Sequence, residues 1–347
     1  MTYKETLFFV GKCLTINHEN QNKIIVEEEL KSGKTDWDSV VKVGTAHFVF
    51  PALYCNLKRA DFLHYLPEDL LAYMQHITDL NRERNQQIID QAKEINTLLL
   101  ANNIKPIFLK GTGNLLEGLY EDIAERMVGD IDFLVSDKDF VFTIKLLKQN
   151  QYKKTNDKLS SPLIVKHYPR IFNENKIAAV EVHKDMIRGK KSSYFNYNTV
   201  CTSIFKKKDV SILGYIDQLT LTILAHQHND FGNIYKTLSL RNTYDAYLLS
   251  NKIGNRFNIN KYFFSLLNNY LFVSSFFLKS RNINFKKTLN SKIYLKILLI
   301  KLEYPFLGKL HNHFFRILIY LNLKFKGGIR FTTNKQFREY YIKKLNS

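Results

Sequence analysis

The spacing of apolar residues changes along the 347-residue chain. It separates segments that are helical from a segment that contains both strands and helices. Over the first hundred or so residues the apolar residues recur every three to four positions, as in helices that bury one face. The longest such run, Leu70–Leu100, contains no Gly or Pro. It follows Pro67, Glu68 and Asp69, a combination typical of a helix start with proline in the first helical position. We therefore predict a helical N-terminal region over residues 1–103.

Residues 104–210 combine short apolar runs, typical of strands, with helical runs. Three runs predict strands, and a helical pattern over Asp137–Asn150 lies between the second and the third. Since strands separated by helices are typical of a layered arrangement, we predict an α/β unit here. From residue 211 to 347 the pattern is again helical. The predicted strands are Ile104–Leu109, Gly129–Val135 and Ile177–His183.

Charge is distributed unevenly along the chain. The formal net charge is +19, and residues 251–347 carry 19 Lys+Arg against two acids, Glu303 and Glu339. The same segment holds 13 Phe and 7 Tyr. Bases interleaved with aromatic residues suit RNA, through phosphate contacts and base stacking. They also suit an anionic membrane surface. A lysine-rich solvated surface over an aromatic core is the third interpretation.

Cysteine usage and hydropathy restrict the compartment. Cys13, Cys55 and Cys201 are far apart and form no CxxC motif, so we expect no disulfide partner and no zinc ribbon. The N-terminal apolar run is short and contains Lys12, which favours a helix over a signal peptide. The most apolar stretch, Tyr262–Leu278, is shorter than the roughly 20 residues that span a membrane. We expect a cytoplasmic protein, peripheral to the inner membrane if the basic segment binds lipid.

The predicted strand GDIDFLV carries two acids two residues apart. Alternate side chains of a strand share a face, so Asp130 and Asp132 project to the same side. Two carboxylates repel each other, and burying them unpaired is unfavourable. A divalent cation such as Mg²⁺ removes that conflict because it binds carboxylate oxygens. Two solvated acids at a strand end are the competing interpretation.

The predicted turn LKGTGN connects the first strand to the next helix. Gly111 and Gly113 permit close approach to the backbone, Thr112 supplies a hydroxyl, and helix N–H groups bind anions. A simple connecting turn explains the same residues. The chain contains no GxxxxGK[ST] motif, so a P-loop nucleotide-binding site is disfavoured.

The third predicted strand, AVEVH, contains another acid between apolar residues. Glu181 and His183 share one face of this strand. A single strand glutamate is often an edge or solvent-exposed residue, and His183 suits either the site or an oriented strand position. Together, however, a glycine turn, an hDhD strand and an hEh strand (h, hydrophobic) form a specific ordered set.

This ordered set resembles the nucleotidyltransferase superfamily with the DNA polymerase β-like palm, in particular the bacterial nucleotidyltransferase family proteins. The similarity extends over about residues 35–250. Two features depart from the superfamily pattern: Gly-Thr replaces Gly-Ser in the glycine turn, and 19 positions separate Gly111 from Asp130, as in nucleotidyltransferase-type toxins. The matching residues are Trp37-Asp38, His47, Pro51–Tyr54, Asn81, Arg84-Asn85, Leu109–Gly111, Tyr120, Arg126, Gly129–Val135, Val180–His183, Ala225-His226, Arg241 and Asp245.

The resemblance implies an α+β fold with a palm-like mixed sheet and flanking helices. The nucleotidyltransferase core would occupy 104–210, between the helical N-terminal region 1–103 and a helical C-terminal region 211–347 that is basic from residue 251.

The resemblance also implies the chemistry. The protein would transfer a nucleoside monophosphate from an NTP to a hydroxyl acceptor, with Mg²⁺ or Mn²⁺ as cofactor. A sugar or envelope precursor, a protein and a tRNA end are the candidate acceptors. The catalytic and metal-binding residues would be Asp130, Asp132 and Glu181, with His183 as a further candidate. The nucleotide-binding residues would be Lys110, Gly111, Thr112, Gly113 and Arg126.

The alternative is a catalytically inactive module of the same fold that binds RNA or an anionic membrane or partner through 251–347. Retention of all three acids favours the enzyme, because an inactive site has no reason to keep their mutual repulsion. Two further expectations concern the helices after the core. Arg241 and Asp245, four residues apart, should form an ion pair, and His226 should have a packing or hydrogen-bonding role.

Overall fold

The computed structural model describes residues 1–154, 166–254, 260–278 and 285–345, and a mixed seven-stranded sheet organises the fold within them. The strand order is β3-β4-β5-β2-β1-β7-β6. The pairs β5–β2 and β1–β7 are parallel, and the other four are antiparallel. The strands are β1 (Ile107–Phe108), β2 (Asp130–Leu134), β3 (Lys153–Lys154), β4 (Ile171–Phe172), β5 (Ala179–His183), β6 (Phe205–Lys207) and β7 (Val210–Ile212).

The three predicted strands are present, but they are shorter than predicted and four further strands join them. The alternation of strands and helices along the chain predicted a layered α/β unit. The observed sheet is mixed instead, because β1 pairs antiparallel to β2. It also extends to Ile212, two residues beyond the predicted boundary of the core. The α+β class implied by the resemblance is confirmed.

Helices occupy most of the chain before the sheet region and lie between the strands within it. The predicted N-terminal helix and the long helix ending at Leu100 are both confirmed; Pro67 precedes the long helix as its N-cap residue instead of occupying its first position. The helices are α1 (Tyr3–Cys13), α2 (Asn20–Lys31), α3 (Trp37–Ala46), α4 (Phe50–Arg59), α5 (Glu68–Leu100), α6 (Lys110–Glu117), α7 (Phe140–Gln149) and α8 (Tyr197–Val200).

The C-terminal region is helical, as predicted. A π-helical turn, Ala225–Asn229, follows the first of its helices. No helix among the described residues is both long enough and apolar enough to cross a membrane. The helices are α9 (Tyr215–Leu224), α10 (Gly232–Tyr235), α11 (Leu240–Ile253), α12 (Phe264–Leu278), α13 (Leu289–Glu303), α14 (Pro305–Thr333) and α15 (Lys335–Leu345).

Two asparagines of α5 fix the segment that leads into β2. Asn81 Nδ2 donates to the Ala124 carbonyl oxygen at 2.7 Å, and Asn85 Nδ2 donates to the Arg126 carbonyl oxygen at 2.7 Å. Both asparagines are buried, so these bonds satisfy backbone carbonyls that water cannot reach. The long helix therefore sets where β2, with its acids, begins.

Candidate active site

The acids of β2 and β5 lie side by side because these two strands pair in parallel. Asp132 is in register with Glu181, and Asp130 with Ala179. Since alternate residues of a strand share one face, the acids and His183 project to the same side of the sheet. The opposite face is apolar and buried, and it is formed by Ile131, Phe133, Val180 and Val182.

A lysine and a histidine contact the buried carboxylate of Asp132. Lys110 Nζ lies 2.5 Å from Asp132 Oδ1 and 3.8 Å from Glu181 Oε2. His183 Nε2 lies 2.7 Å from Asp132 Oδ1 and 3.5 Å from Glu181 Oε2. One ligand atom from each of Asp132, Glu181 and His183 lies within 4.8 Å of the others. These three residues could therefore hold a metal ion.

An arginine joins the third acid to this cluster. Arg170 Nη2 lies 2.8 Å from Asp130 Oδ2 and 3.1 Å from Glu181 Oε1. A guanidinium that reaches two carboxylates at once shows that both can share one cation. Lys110 contacts Asp132 and Glu181 in the same way. The three carboxylates thus form a single cluster, with Glu181 in contact with both side-chain cations.

Burial and neighbouring charges shift the pKa values of the three carboxyls in different directions. Desolvation raises the pKa of Asp130, and the charges of Asp132 and Glu181 raise it further. Desolvation also acts on Asp132, but Lys110 and His183 outweigh it and hold its pKa well below the usual range. The pKa of Glu181 is lowered because its favourable contacts, led by the hydrogen bond from His183, outweigh its burial. Asp132 and Glu181 are therefore ionised at neutral pH, and the cluster attracts cations.

The carboxylates line a cleft of about 310 Å³. Helices α9 and α11 and the π-helical turn supply its other wall. Basic side chains line the same cleft, which gives it the mixed charge expected of a site for a metal ion and an anionic ligand. Those described are Lys110, Arg126, Lys166, Arg170 and Arg241.

A buried network fixes Arg126 at the edge of this cleft. Its Nε donates to Asp245 Oδ2 at 2.9 Å, and Tyr120 Oη donates to Asp245 Oδ1 at 2.7 Å. Asn114 Nδ2 donates in turn to Tyr120 Oη at 3.1 Å. Burial, with the charge of Asp245, raises the pKa of Tyr120 well above its ordinary value. Because Arg126 and Asp245 are both buried, each charge depends on the other for stabilisation, and the ion pair holds Arg126 in one position.

The predicted ion pair between Arg241 and Asp245 was wrong. Asp245 instead bonds to Arg126 and Tyr120, while the Arg241 guanidinium lies over the Phe48 ring, 5.0 Å from its centroid. The reason is burial: Arg126 is only 7% exposed and needs a carboxylate more than the less buried Arg241 does. His226 has the expected hydrogen-bonding role, since its Nε2 lies 3.0 Å from the Thr237 carbonyl oxygen.

The segment predicted as a glycine turn is the first turn of α6, which begins directly at Lys110. This correction has a local cause: Lys110 adopts a left-handed backbone conformation, with φ of 53°. That conformation is uncommon for residues other than glycine and recurs at functional sites. It allows the chain to pass from Leu109 into the helix without an intervening turn. Lys110 and Gly111 line the cleft.

Thr112 and Gly113 have contacts that hold α6 against the sheet. Thr112 Oγ1 donates to the Asp130 carbonyl oxygen at 2.9 Å. A Cβ added at Gly113 would lie 2.8 Å from the Phe108 carbonyl oxygen, so only glycine fits this close approach. Both residues are buried. Their predicted role in nucleotide binding stays a prediction, and the contacts observed are with the protein itself.

Sequence reasoning missed three basic residues that precede β4 and line the cleft: Lys166, His167 and Arg170. His167 Nε2 lies 3.7 Å from Glu181 Oε2. Burial, and then the charge of Lys110, lowers the pKa of Lys166 to about 8. Bases in front of a short apolar strand carry no motif of their own. They reach the acids because β4 pairs with β5 and because the residues before β4 also pair with the end of β5, where His167 lies opposite His183.

A mixed sheet with acids on adjacent parallel strands beside a basic cleft is consistent with a nucleotidyltransferase fold. A family model described as uncharacterised nucleotidyltransferase matches residues 33–275, more than two thirds of the chain. The chain belongs to this family, which confirms the resemblance found in its motifs. No curated protein and no solved structure matches it. Together with the Asp132–Glu181–His183 cluster, the family supports a general nucleotidyltransferase activity.

Proposed function

We propose that this protein transfers a nucleoside monophosphate from an NTP to a hydroxyl group of an acceptor, with Mg²⁺ or Mn²⁺ as cofactor. One observation carries the proposal: Asp132 and Glu181 are in register on parallel strands, and Asp130 is joined to Glu181 through Arg170. This acid cluster opens into a cleft lined by bases. The candidate acceptors are a sugar or envelope precursor, a protein and a tRNA end.

The residues present fit a divalent cation. Asp130, Asp132 and Glu181 supply carboxylate oxygens, which Mg²⁺ prefers, and His183 adds a nitrogen close to two of them. Lys110 and Arg170 each contact two of these carboxylates, so the cluster accommodates positive charge. When bound, the metal would neutralise triphosphate charge and stabilise the charge that develops at the α-phosphorus.

The protein's own groups would then bind and orient the reactants. Lys110, Gly111 and Arg126 line the cleft, and in this proposal the two side chains and the Gly111 backbone would contact phosphate oxygens. The acceptor oxygen forms the new bond to the α-phosphorus as the bond to the leaving pyrophosphate breaks. Glu181 accepts the proton of the acceptor hydroxyl. Most of the acceleration would come from positioning and charge stabilisation.

The test follows label from each α-³²P NTP into product. The full-length protein is incubated with Mg²⁺ and a fractionated cell extract as the source of acceptor. Pyrophosphate release is measured in parallel, and labelled products are identified by mass spectrometry. We expect one NTP to label one class of acceptor, and EDTA to abolish the labelling.

Matched variants separate the site from the rest of the chain. Asp130→Asn combined with Asp132→Asn should abolish labelling, whereas Asp90→Asn, an exposed acid on α5, should not change it. Thermal unfolding of each variant checks that the fold is retained. Undiminished labelling by the double variant would remove the proposed mechanism.

A further inference from the structure

Helix α14 carries a row of exposed apolar side chains from Leu307 to Phe325. The helix has 29 residues, which corresponds to about 43 Å at 1.5 Å per residue. Six apolar residues recur at intervals of three or four positions, the spacing that places side chains on one helical face. Each is between 44% and 70% exposed. We call this set the α14 stripe: Leu307, Leu310, Phe314, Leu318, Leu321 and Phe325.

The opposite side of α14 attaches the helix to the rest of the protein. Gly308 is buried, and a Cβ added there would lie 3.3 Å from the Lys301 carbonyl oxygen in α13. Lys301 Nζ donates to Asn312 Oδ1 at 2.8 Å and also to the Tyr235 carbonyl oxygen of α10. These contacts hold the first half of the helix in one rotational setting. In that setting the α14 stripe faces away from the protein body.

The charge of α14 has a single sign. Its 29 residues include five Lys and Arg and no Asp or Glu. All five bases are exposed, so their charge is available to a partner. They are Lys309, Arg316, Lys324, Lys326 and Arg330. By helical spacing Lys324 and Lys326 flank the α14 stripe and the other three lie on the far side of the helix, so the flanking pair can reach lipid phosphates while the others stay in water when the stripe is buried.

We propose that the α14 stripe docks on an anionic membrane surface, with the helix lying in the plane of the interface. Three observations support this docking: the apolar residues of the α14 stripe form one continuous face, the same helix carries only positive charges, and the stripe residues are exposed instead of packed against the protein. This is the combination that binds helices to anionic lipid headgroups. The proposal does not depend on the catalytic reaction.

Two other occupants fit the same observations less well. A second copy of the chain, docked through its own α14 stripe, would bring together two positively charged helices without an acid on either to offset their charge. RNA would meet the bases and find aromatic faces at Phe314 and Phe325, but the other four members of the α14 stripe are leucines, which offer no face on which a nucleobase stacks. An anionic lipid surface satisfies both the charge and the apolar row.

Vesicle co-sedimentation of the full-length protein tests the proposal. The vesicles contain phosphatidylcholine alone or phosphatidylcholine with one quarter phosphatidylglycerol. The stripe variant combines Phe314→Glu and Leu321→Glu. Its matched control combines Leu80→Glu on α5 with Val141→Glu on α7, two apolar residues that are 49% and 75% exposed. Both variants add two negative charges, so only the position of the change differs. A third variant, Arg316→Gln with Lys324→Gln, removes charge and leaves the α14 stripe intact.

We expect the wild type and the control to bind phosphatidylglycerol vesicles, and the stripe variant to bind at least about tenfold more weakly. The charge variant should lose affinity by a smaller factor, and binding to neutral vesicles should be weaker throughout. Absence of wild-type binding to phosphatidylglycerol vesicles would overturn the proposal. So would equal losses in the stripe variant and its control. A dimer that the stripe variant dissociates, or RNA binding without vesicle binding, would instead identify another occupant.

Discussion

The cleft and helix α14 both carry basic residues, but the two regions differ in whether their charged and apolar side chains are buried or exposed. In the cleft, Asp132 and Glu181 are buried and in contact with Lys110. On α14 the bases are in solvent and the apolar residues of the α14 stripe are exposed on the same helix. Buried charges that are stabilised by oppositely charged side chains are typical of a preorganised functional site. An exposed apolar row that the core does not use marks a contact surface.

Changing an acid of the cluster should have the largest effect. Glu181→Gln keeps the side-chain shape but removes the charge that faces both Lys110 and Arg170. We expect nucleotidyl transfer to fall on the order of 10² to 10⁴-fold, the range for losing a charge-stabilising or proton-accepting group. The Leu80→Glu, Val141→Glu control should keep wild-type turnover. Similar turnover in Glu181→Gln and this control would show that the cluster is not the site.

Breaking the buried pair at the cleft edge should mainly affect stability. Asp245→Asn leaves the Arg126 guanidinium, which is 7% exposed, without a charged partner. We expect the free energy of unfolding to fall by about 3–5 kcal/mol in urea denaturation. Tyr120→Phe removes one hydrogen bond to Asp245 but keeps the ion pair, and should cost about 1.5–3 kcal/mol. Equal losses in the two variants would mean that the ion pair itself is unimportant.

Adding one methyl group where α6 meets the sheet should have a smaller effect. Gly113→Ala places Cβ 2.8 Å from the Phe108 carbonyl oxygen and 2.8 Å from Gln218 Nε2. We expect a loss of about 1–3 kcal/mol in unfolding free energy, typical of overpacking. Gly129→Ala is the control, because nothing lies within 4 Å of its added Cβ. An unchanged midpoint for Gly113→Ala would show that α6 can move away from β1.

The smallest effect on stability should come from the α14 stripe. Phe314 is 55% exposed, so Phe314→Ser should change the unfolding free energy by no more than about 0.5 kcal/mol. Phe277, in the same basic region, is fully buried and stacks on Phe8 with ring centroids 4.5 Å apart. Phe277→Ala should therefore cost about 3–5 kcal/mol. A large loss for Phe314→Ser would mean that the α14 stripe packs against the protein.

The sequence predicted the parts of the fold and site that local pattern determines. The hDhD and hEh strands, the face that the polar residues share within each strand and the long α5 all follow from residue periodicity, and the structure confirms them. The strand formed by Lys153 and Lys154 could not be predicted, because pairing with β4 and not strand propensity stabilises it. The helix start at Lys110 was missed for a related reason. A lysine in the left-handed conformation has no sequence signal, whereas the following glycines suggested a turn.

Contacts between residues distant in sequence account for the remaining errors in the site. Arg126 and Asp245 are 119 positions apart, so helical spacing favoured Arg241 as the partner. Arg170 reaches Asp130 only because β4 pairs with β5. Neither contact follows from the residues around it. The family resemblance implied that the three acids form one site, whereas nothing in the sequence indicated the arrangement of their basic neighbours.

The most direct test of the central claim is a titration of the protein with Mn²⁺ in the absence of nucleotide, in which the loss of the free-ion EPR signal measures binding. We expect wild-type protein and Asp90→Asn to bind the ion with equal affinity. Asp132→Asn should bind it at least about tenfold more weakly, because it removes a carboxylate from the cluster. Equal affinity in Asp132→Asn and wild type would contradict the claim that these acids hold the metal.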